Sequence, residues 1–249
     1  MKALILAAGY GTRLGEVTKH SSKILLDIAG KPMINYIIEK IEELSEIDTI
    51  YIITNNKFYN DFVDWKENIH CLKPIEIINN LTNHNAEKRG TIGDLHYAIK
   101  EKNINDDLLV IGGDNLFSFT LEEMYIYFSK NQTTVLGVID LKQEEKLANI
   151  YGVVETDENN KIIGFEEKPT KPKTTLAAML LYFLHKKHLD TVSSFLQKNI
   201  GERNGDFIKF LAEHNTILAF PFTDDWIDIG DKHELDKARE IYTHNRVII

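Results

Sequence analysis

A pair of glycines stands directly after the first apolar run of the chain, in the sequence LILAAGYGTRLG (residues 4–15). Gly9 and Gly11 can adopt positive φ angles and let the backbone approach a ligand closely. Exposed amides in such a turn can hold phosphate oxygens, and the forked guanidinium of Arg13 suits a phosphate chain. The spacing therefore predicts a phosphate-binding loop.

Other kinds of glycine loop fit this sequence less well. A P-loop requires GxxxxGK followed by Ser or Thr, and the loop has no such lysine. The dinucleotide-binding pattern GxGxxG lacks its third glycine because Leu14 stands there, and Thr54-Asn55 stand where an acidic residue should follow the second strand. Taken alone, the glycine pair is also compatible with a plain structural turn.

Two aspartates are candidates for binding a cation. Asp114 follows Gly112-Gly113, where an aspartate often only caps a turn. Asp228 lies in the strand-like run WIDIG, and because strands disfavour Asp, its carboxylate should be paired or bound. Two carboxylates suit a hard cation such as Mg²⁺. The nine histidines show no spacing typical of zinc sites.

These residues carry a resemblance to a known family. The opening LAAGYGTRL, then Lys23, then GKPMI (residues 30–34) resembles the nucleotidyltransferases that include the sugar-1-phosphate nucleotidylyltransferases, whose usual opening is LAAGxGTRLxPLTxxxPKxLLPVxxKPMI. Glu16 and Ser22 replace two prolines of that pattern. Four further segments match in the family's order: GTIGDLHYAI (90–99), IGGDN (111–115), GFEEKP (164–169) and DWIDIG (225–230). The resemblance extends from about Lys2 to Tyr242.

The resemblance implies a reaction and a role for each matching residue. A nucleoside triphosphate would be joined to a phosphorylated acceptor with release of pyrophosphate, and Mg²⁺ would assist. Arg13, Lys23 and Asp114 are the implied catalytic residues, and Asp114 and Asp228 the implied metal ligands. The implied acceptor-binding residues are Gly152, Glu167 and Lys168. The implied nucleotide-binding residues are Leu6, Ala8, Gly9, Gly11, Thr12, Arg13, Lys23, Gly90, Thr91 and Gly93.

The elements that must position these residues alternate in the first half of the chain. Lys2–Ala7, Thr49–Thr54, Ile75–Ile78 and Asp107–Ile111 read as strands, and Met33–Leu44, Phe58–Trp65 and Asp94–Lys100 as helices. The second half is richer in strands. We therefore expect an α/β fold: a Rossmann-like, doubly wound, mostly parallel mixed sheet flanked by helices, with a strand-rich acceptor-binding part. The resemblance implies that this fold is the GT-A-like nucleotidyltransferase fold.

The domain organisation follows from length and from the spread of the motifs. We expect one continuous domain over residues 1–249, with a nucleotide-binding part of about 1–115, an acceptor-binding part of about 116–230 and a C-terminal helix over 231–243. That leaves no room for the left-handed helical acyltransferase domain that some relatives append.

Composition excludes several classes of protein. The chain has 29 Lys plus Arg against 38 Asp plus Glu, a formal charge of −9, which argues against binding to nucleic-acid polymers or anionic membranes. Its single cysteine excludes an internal disulfide and a cysteine-based zinc site. No apolar run is long enough for a signal peptide or membrane span, so we expect a cytoplasmic protein. Homo-oligomerisation stays open.

The identity of the substrates is less defined. The residues expected to contact the base are Thr82, Asn83 and Thr91. Their side chains can both donate and accept hydrogen bonds, so they do not distinguish among uridine, thymidine and cytidine. Leu180 stands where sugar-using relatives usually have glycine, so the acceptor should differ from plain glucose-1-phosphate in size or shape. A cytidylyltransferase acting on a non-sugar phosphate, a catalytically silent nucleotide-binding regulator and a nicotinamide-dependent oxidoreductase are the competing hypotheses.

Overall fold

The computed structural model describes residues 1–198 and 203–245, so residues 199–202 and 246–249 of the expected domain lie outside the described part. Its strands are β1 (Lys2–Leu6), β2 (Asp27–Ile28), β3 (Lys31–Pro32), β4 (Thr49–Thr54), β5 (Ile75–Asn79), β6 (Leu108–Gly112), β7 (Asn115–Phe117), β8 (Val135–Asp140), β9 (Val153–Thr156), β10 (Ile162–Glu166), β11 (Leu176–Leu184), β12 (Leu218–Phe222) and β13 (Trp226–Asp228). Its α-helices are α1 (Met33–Glu42), α2 (Tyr59–Asn68), α3 (Gly90–Glu101), α4 (Glu122–Asn131), α5 (Leu189–Gln197), α6 (Asn204–His214) and α7 (Lys232–Asn245).

The chain folds into two compact units. The first, here called the glycine-loop unit, contains Lys2–Lys88, Ile111–Thr120 and Asp225–Ile249. The second, here called the EKP unit after its Glu167-Lys168-Pro169 sequence, contains Met1, Arg89–Val110 and Leu121–Asp224.

Parallel strands form the centre of the glycine-loop unit. β1 pairs in parallel with β4, with Leu4 opposite Tyr51, and β4 pairs in parallel with β5. Unbroken apolar runs suit such strands because both faces of a parallel sheet are covered, and Ala3, Leu4 and Ile5 are fully buried. The glycine loop begins where β1 ends, which is the edge at which ligands bind in open α/β sheets.

A small antiparallel ladder places the two predicted metal aspartates. β13 pairs with β7, so that Asp228 lies opposite Asn115, the residue after Asp114. A buried apolar cluster anchors this ladder from both sides: it comprises Leu14, Ile28, Met33, Leu116, Ile227, Ile229, Leu235 and Ala238. The last two members belong to α7, so the C-terminal helix stabilises the ends of β7 and β13.

The EKP unit is mainly antiparallel. β10 pairs with β9, and β11 pairs with both β9 and β8, all antiparallel, while β12 adds to β8 in parallel. The register of β11 against β8 shifts between Ala178 and Tyr182, which is a local irregularity of the ladder. Parallel and antiparallel pairing thus occur together, as expected for a mixed sheet.

Most differences from the sequence-based boundaries are small, but α3 and β7 are exceptions. α3 begins at Gly90 rather than Asp94, because Gly90 takes a positive φ of 73° and turns the chain directly into the helix. β7 has only three residues and gives no periodic signal of its own. Within residues 1–198 and 203–245, no helix has the length and apolarity needed to cross a membrane.

Candidate active site

The glycine loop is a tight turn closed by a threonine. Gly11 has φ 64° and ψ 22°, a left-handed conformation, and a 3₁₀ segment kinked at Gly15 runs from Thr12 to Thr18. The hydroxyl of Thr18 lies 2.8 Å from the carbonyl oxygen of Gly11 and donates to it. A Cβ at Gly11 would lie 2.9 Å from the Thr18 side chain, so glycine is required there.

Gly9 differs from Gly11 in its surroundings. A Cβ built at Gly9 would have no protein atom within 4 Å. Packing therefore does not explain the glycine, and the open space beside its backbone is available to a ligand. This is the arrangement that a phosphate-binding loop requires.

Lys23 lies at the centre of the predicted catalytic residues. Its ammonium nitrogen lies 2.7 Å from Asp114 Oδ2 and 2.8 Å from the carbonyl oxygen of Ile229, and donates to both. Only 12% of its side chain is exposed, which strengthens both interactions relative to a surface pair. Ser22, which replaces a family proline, has φ −61° and ψ 138°, so the backbone keeps a conformation that proline also adopts.

Asp114 is held by a second set of contacts. The side-chain amide of Asn115 donates to Asp114 Oδ1 at 3.2 Å, and the indole N–H of Trp226 donates to Asn115 Oδ1 at 2.7 Å. The preceding Gly113 donates its N–H to the carbonyl oxygen of Leu6 at 3.0 Å. A Cβ at Gly113 would lie 2.5 Å from Ile24, so this approach also needs glycine.

The backbone brings Asp228 beside Asp114. The amide of Ile229 donates to the carbonyl oxygen of Asp114 at 3.0 Å, directly after β13 ends at Asp228. Carboxylate oxygens of this kind fit a hard cation. Within the described residues no group of three or more His, Cys, Asp or Glu side chains could hold a metal, so Mg²⁺ there would need further oxygen ligands from a substrate, its usual mode of binding.

Arg13 also lies at this edge of the glycine-loop unit. A Cβ at Gly230 would lie 3.2 Å from Arg13 Nη1, which puts the guanidinium against the backbone that follows Asp228. Arg13, Lys23, Asp114 and Asp228 are thus brought together by the glycine loop, the 3₁₀ turn Lys23–Leu25, the turn after β6 and the end of β13.

The loop after β5 provides the predicted base-reading residues Thr82 and Asn83. Thr82 is buried and its hydroxyl is already engaged, accepting from the hydroxyl of Tyr10 at 2.8 Å and lying 2.8 Å from Asn80 Oδ1. Asn83 is exposed, and its Oδ1 accepts from the Asn56 side chain at 2.8 Å. The carbonyl oxygen of Ala8 accepts from the Asn55 side chain at 3.0 Å, which fixes the start of the glycine loop.

The remaining predicted nucleotide-binding residues lie in the EKP unit, in the first turn of α3. Gly90 and Thr91 are the first residues of this helix, where backbone N–H groups have no partner within the helix. Gly93 follows, and a Cβ there would lie 2.9 Å from the Arg89 side chain.

The predicted acceptor residues Gly152 and Glu167 are in contact. A Cβ at Gly152 would lie 3.3 Å from Glu167 Oε2, and one at Gly205, near the start of α6, would overlap the same oxygen. Burial raises the pKa of Glu167, and Asp206 adds to this, whereas Lys168 and Arg203 oppose it. The carboxylate therefore lies in a partly desolvated recess that two glycines leave open.

Lys168 follows Glu167 directly, and β11, which carries Leu180, runs beside Gly152. Lys168 has φ 48°, a left-handed conformation that is uncommon for lysine. The amide of Ala178 donates to the carbonyl oxygen of Gly152 at 2.8 Å, and Leu180 lies two residues further along β11 in its irregular part, half-buried.

Four contributing residues had no assigned role in the sequence analysis. Asn115 and Trp226 support Asp114, and both stand inside the quoted motifs IGGDN and DWIDIG. Tyr10 stands between the two glycines of the loop and contacts Thr82. Gly205 carries no motif signal, and only its contact with Glu167 reveals it.

With this geometry established, comparison with known proteins identifies the family. The sequence profile of the family described as Nucleotidyl transferase matches residues 2–245. The chain belongs to the nucleotidyl transferase family. The family resemblance carried by the sequence motifs is thereby confirmed.

Curated relatives of this nucleotidyl transferase are named "Bifunctional protein GlmU". The one from Methanocaldococcus jannaschii is 32% identical over 241 residues, covering 96% of this chain and 54% of the relative. The one from Methanococcus maripaludis strain C7 is 31% identical over 252 residues, covering 100% of this chain and 56% of the relative. The chain therefore spans about half the length of the curated relatives it matches.

Solved structures share the fold of this nucleotidyl transferase. A UDP-glucose pyrophosphorylase complexed with UDP-glucose has a TM-score of 0.82 at 23% identity, covering 98% of each chain. A protein from Bacillus anthracis assigned as a glucose-1-phosphate thymidylyltransferase has a TM-score of 0.79 at 24% identity, covering 98% of this chain and 95% of that one. At this identity the likeness shows the fold, and it confirms the predicted α/β fold class.

Proposed function

We propose that this protein is a Mg²⁺-dependent nucleotidylyltransferase that joins a nucleoside triphosphate to a phosphorylated acceptor, a sugar 1-phosphate, and releases pyrophosphate. Family membership supports the class of reaction. The observation that carries the proposal is the position of Lys23, which contacts both Asp114 and the residue after Asp228. A cation in this position can act on phosphate oxygens that approach the two carboxylates.

The reaction is an in-line displacement at the α-phosphorus. An oxygen of the acceptor phosphate forms a new bond to the α-phosphorus while the bond to the leaving pyrophosphate breaks. Because the attacking oxygen is already ionised near neutral pH, no strong general base is needed. Catalysis then depends on positioning two anions and stabilising the leaving group.

Residues of the glycine-loop unit supply these effects in the proposal. The backbone amides of Gly9, Gly11 and Thr12 bind phosphate oxygens, beside the open space at Gly9. Arg13 binds the β- and γ-phosphates and stabilises the leaving pyrophosphate. Lys23 contacts the α-phosphate and the attacking oxygen, which requires it to share its charge between Asp114 and the substrate. Leu6 and Ala8 line the same edge.

Asp114 and Asp228 are the proposed ligands of Mg²⁺. When bound, the ion would neutralise charge on the triphosphate and on the developing pyrophosphate. Asn115 and Trp226 keep the Asp114 carboxylate in place through their two hydrogen bonds. The local positive charge of Arg13 and Lys23 explains how a chain of net charge −9 could bind a triphosphate.

Residues of the EKP unit are the proposed acceptor site. Lys168 binds the acceptor phosphate, Glu167 binds acceptor hydroxyls, and Gly152 adds a backbone contact. The partly desolvated carboxylate of Glu167 suits short hydrogen bonds to hydroxyl groups. Leu180 stands where sugar-using relatives usually have glycine, and its larger side chain favours an acceptor that differs from plain glucose-1-phosphate.

The nucleotide is proposed to be a pyrimidine nucleotide, that is UTP, dTTP or CTP, read by the loop after β5 and by Gly90, Thr91 and Gly93 of α3. The proposed partners are therefore an NTP and a small phosphorylated acceptor. Neither a nucleic-acid polymer nor a membrane is part of the proposal.

Acceptor-dependent pyrophosphate release tests the proposal. The protein is incubated with Mg²⁺, each of the four common NTPs in turn, and a panel of sugar 1-phosphates and non-sugar phosphates. We expect pyrophosphate release that requires both a pyrimidine NTP and a sugar 1-phosphate. Release with only a non-sugar phosphate would identify the alternative cytidylyltransferase class, and nucleotide binding without release would identify a regulator.

A further inference from the structure

Tyr10 links the glycine loop to the segment Asn79–Asn83 by a chain of hydrogen bonds. The Tyr10 hydroxyl lies 2.8 Å from Thr82 Oγ1, and Thr82 Oγ1 lies 2.8 Å from Asn80 Oδ1. All three residues belong to the glycine-loop unit. Thr82 and Asn80 are 5% and 1% exposed, so water does not substitute for these bonds.

Asn80, the last residue of this series of hydrogen bonds, fixes the direction in which each proton is donated. Asn80 Oδ1 also accepts the backbone N–H of Thr82 at 2.9 Å, which identifies this atom as the oxygen of the amide. The single hydroxyl proton of Thr82 is donated to the same oxygen. Tyr10 must therefore donate its proton to Thr82, and no other proton can serve this bond.

The Asn80 end of this series of hydrogen bonds is attached to the central strands. The amide of Asn80 donates to the carbonyl oxygen of Thr54 at 2.8 Å, at the end of β4, and the amide of Asn56 donates to the carbonyl oxygen of Thr82 at 2.9 Å. The segment that contains Thr82 is thus fixed to the sheet on one side and to the glycine loop on the other. Tyr10 is therefore a direct hydrogen-bonded link between the glycine loop and this segment.

We propose that Tyr10 is a positioning residue that couples binding of the triphosphate to recognition of the base. This rests on the proposed function, in which the glycine loop binds phosphates and the loop after β5 reads the base. In this arrangement Thr82 cannot donate its hydroxyl proton to the base, because that proton is already donated to Asn80, so Thr82 acts by positioning the segment. Within this segment, the backbone of Asn79–Asn83 and the exposed side chain of Asn83 remain available to contact the base.

Tyr10→Phe removes the donor while keeping the ring. We expect the Kd for the preferred NTP to rise about tenfold, because a buried acceptor loses its partner, and the preference among the four bases to shrink. The KM for the acceptor should not change. Tyr36→Phe is the matched control, since its hydroxyl donates to the carbonyl oxygen of Ile28 at 2.7 Å in the same unit, away from the segment Asn79–Asn83.

A double variant separates coupling from a general loss of structure. In Tyr10→Phe/Thr82→Val both partners of the Tyr10–Thr82 bond are apolar, and Asn80 Oδ1 still accepts the backbone N–H of Thr82. The melting temperature should therefore recover toward that of the native chain, while the altered base preference remains. An unchanged Kd and unchanged base preference in Tyr10→Phe, or an equal rise in the acceptor KM, would overturn the proposal.

Hydrogen exchange distinguishes this proposal from the proposed function. The amides of Asn80, Thr82 and Asn56 should exchange faster in Tyr10→Phe and at the native rate in Tyr36→Phe, whether or not the enzyme turns over. NTP affinity is measured with Mg²⁺ and no acceptor. If the native protein releases no pyrophosphate with any acceptor, the proposed function fails, while exchange and affinity still decide the role of Tyr10.

Discussion

The ammonium group of Lys23 joins two segments that are far apart in the sequence, since it lies 2.7 Å from Asp114 Oδ2 and 2.8 Å from the carbonyl oxygen of Ile229. One segment follows β6 and the other follows β13. Each carries one of the aspartates that the family resemblance assigns to the metal. Lys23 therefore bridges the Asp114 carboxylate and the backbone that follows Asp228.

Replacing Lys23 should lower turnover rather than substrate affinity. In Lys23→Ala, kcat should fall about 10²–10³-fold, as expected on removing one charged group that stabilises the transition state, with smaller changes in KM. Steady-state kinetics of pyrophosphate release measure both constants. Lys19→Ala is the control, because Lys19 is exposed and pairs with exposed Glu16. A pure rise in KM would make Lys23 a binding residue.

The two glycines of the loop should respond differently to alanine. Gly11→Ala forces a side chain into a left-handed conformation and against Thr18, so the free energy of unfolding should fall by about 1–3 kcal/mol. Gly9→Ala should unfold like the native chain, since its Cβ meets no protein atom, but should bind NTP more weakly. Urea unfolding and equilibrium NTP binding separate the two effects. Equal destabilisation of both variants would contradict this.

Gly205 should affect binding of the acceptor through the position of Glu167. A Cβ at position 205 overlaps Glu167 Oε2 and contacts Phe165, so Gly205→Ala must displace the carboxylate. We expect the acceptor KM to rise about tenfold at an unchanged KM for NTP. Gly164→Ala serves for comparison, because its Cβ would meet the Glu155 side chain, at 3.0 Å from Oε1, and not Glu167. The idea would be wrong if both constants rose together.

His188 should make stability depend on pH. Burial lowers the pKa of His188 to about 4, and Lys187 and His185 add to this. The unfolded chain binds this proton below about pH 6.5 whereas the folded chain does not, so stability should fall as the pH drops from about 6.5 toward 4, by at most about 1.4 kcal/mol per pH unit. Burial also lowers the pKa of His185, so it contributes with the same sign.

Urea unfolding at several pH values tests this dependence. His188→Gln should reduce the pH slope of stability, because glutamine does not bind a proton in this range. Its amide can still reach the hydroxyl of Thr134, which lies 2.8 Å from His188 Nδ1 in the native chain. His84→Gln is the comparison, since His84 is exposed. If the slope in His188→Gln equals that of the native chain, His188 is not the group responsible.

Local sequence patterns predicted the strands and helices whose own residues show an apolar run or a helical spacing. The apolar runs of β1 and β4 and the helical spacing of Ile34, Ile37, Ile38 and Ile41 in α1 gave strands and a helix close to the observed bounds. β7 escaped prediction because a three-residue strand exists only through its pairing with β13. The start of α3 escaped prediction because glycine has low helix propensity, so Gly90 gives no helical signal.

The candidate site residues also fall into two groups, those that sequence motifs predict and those that only contacts in the folded chain reveal. Arg13, Lys23, Asp114 and Asp228 were predicted from family motifs, and the glycine-loop unit brings all four together. Tyr10 and Gly205 could not be identified, because their roles depend on contacts with Thr82 and Glu167 that no local pattern encodes. Long-range contacts between buried polar groups are a property of the folded chain.

The most direct test of nucleotidyl transfer follows the α-phosphorus itself. The native protein is incubated with Mg²⁺, the preferred NTP labelled at the α-phosphorus, and its acceptor. The label should appear in a product that contains both nucleotide and acceptor, with none in pyrophosphate, and Asp114→Asn should lower this rate by orders of magnitude while the fold stays intact. Label that stays in NTP, or a near-native rate in Asp114→Asn, would contradict the account.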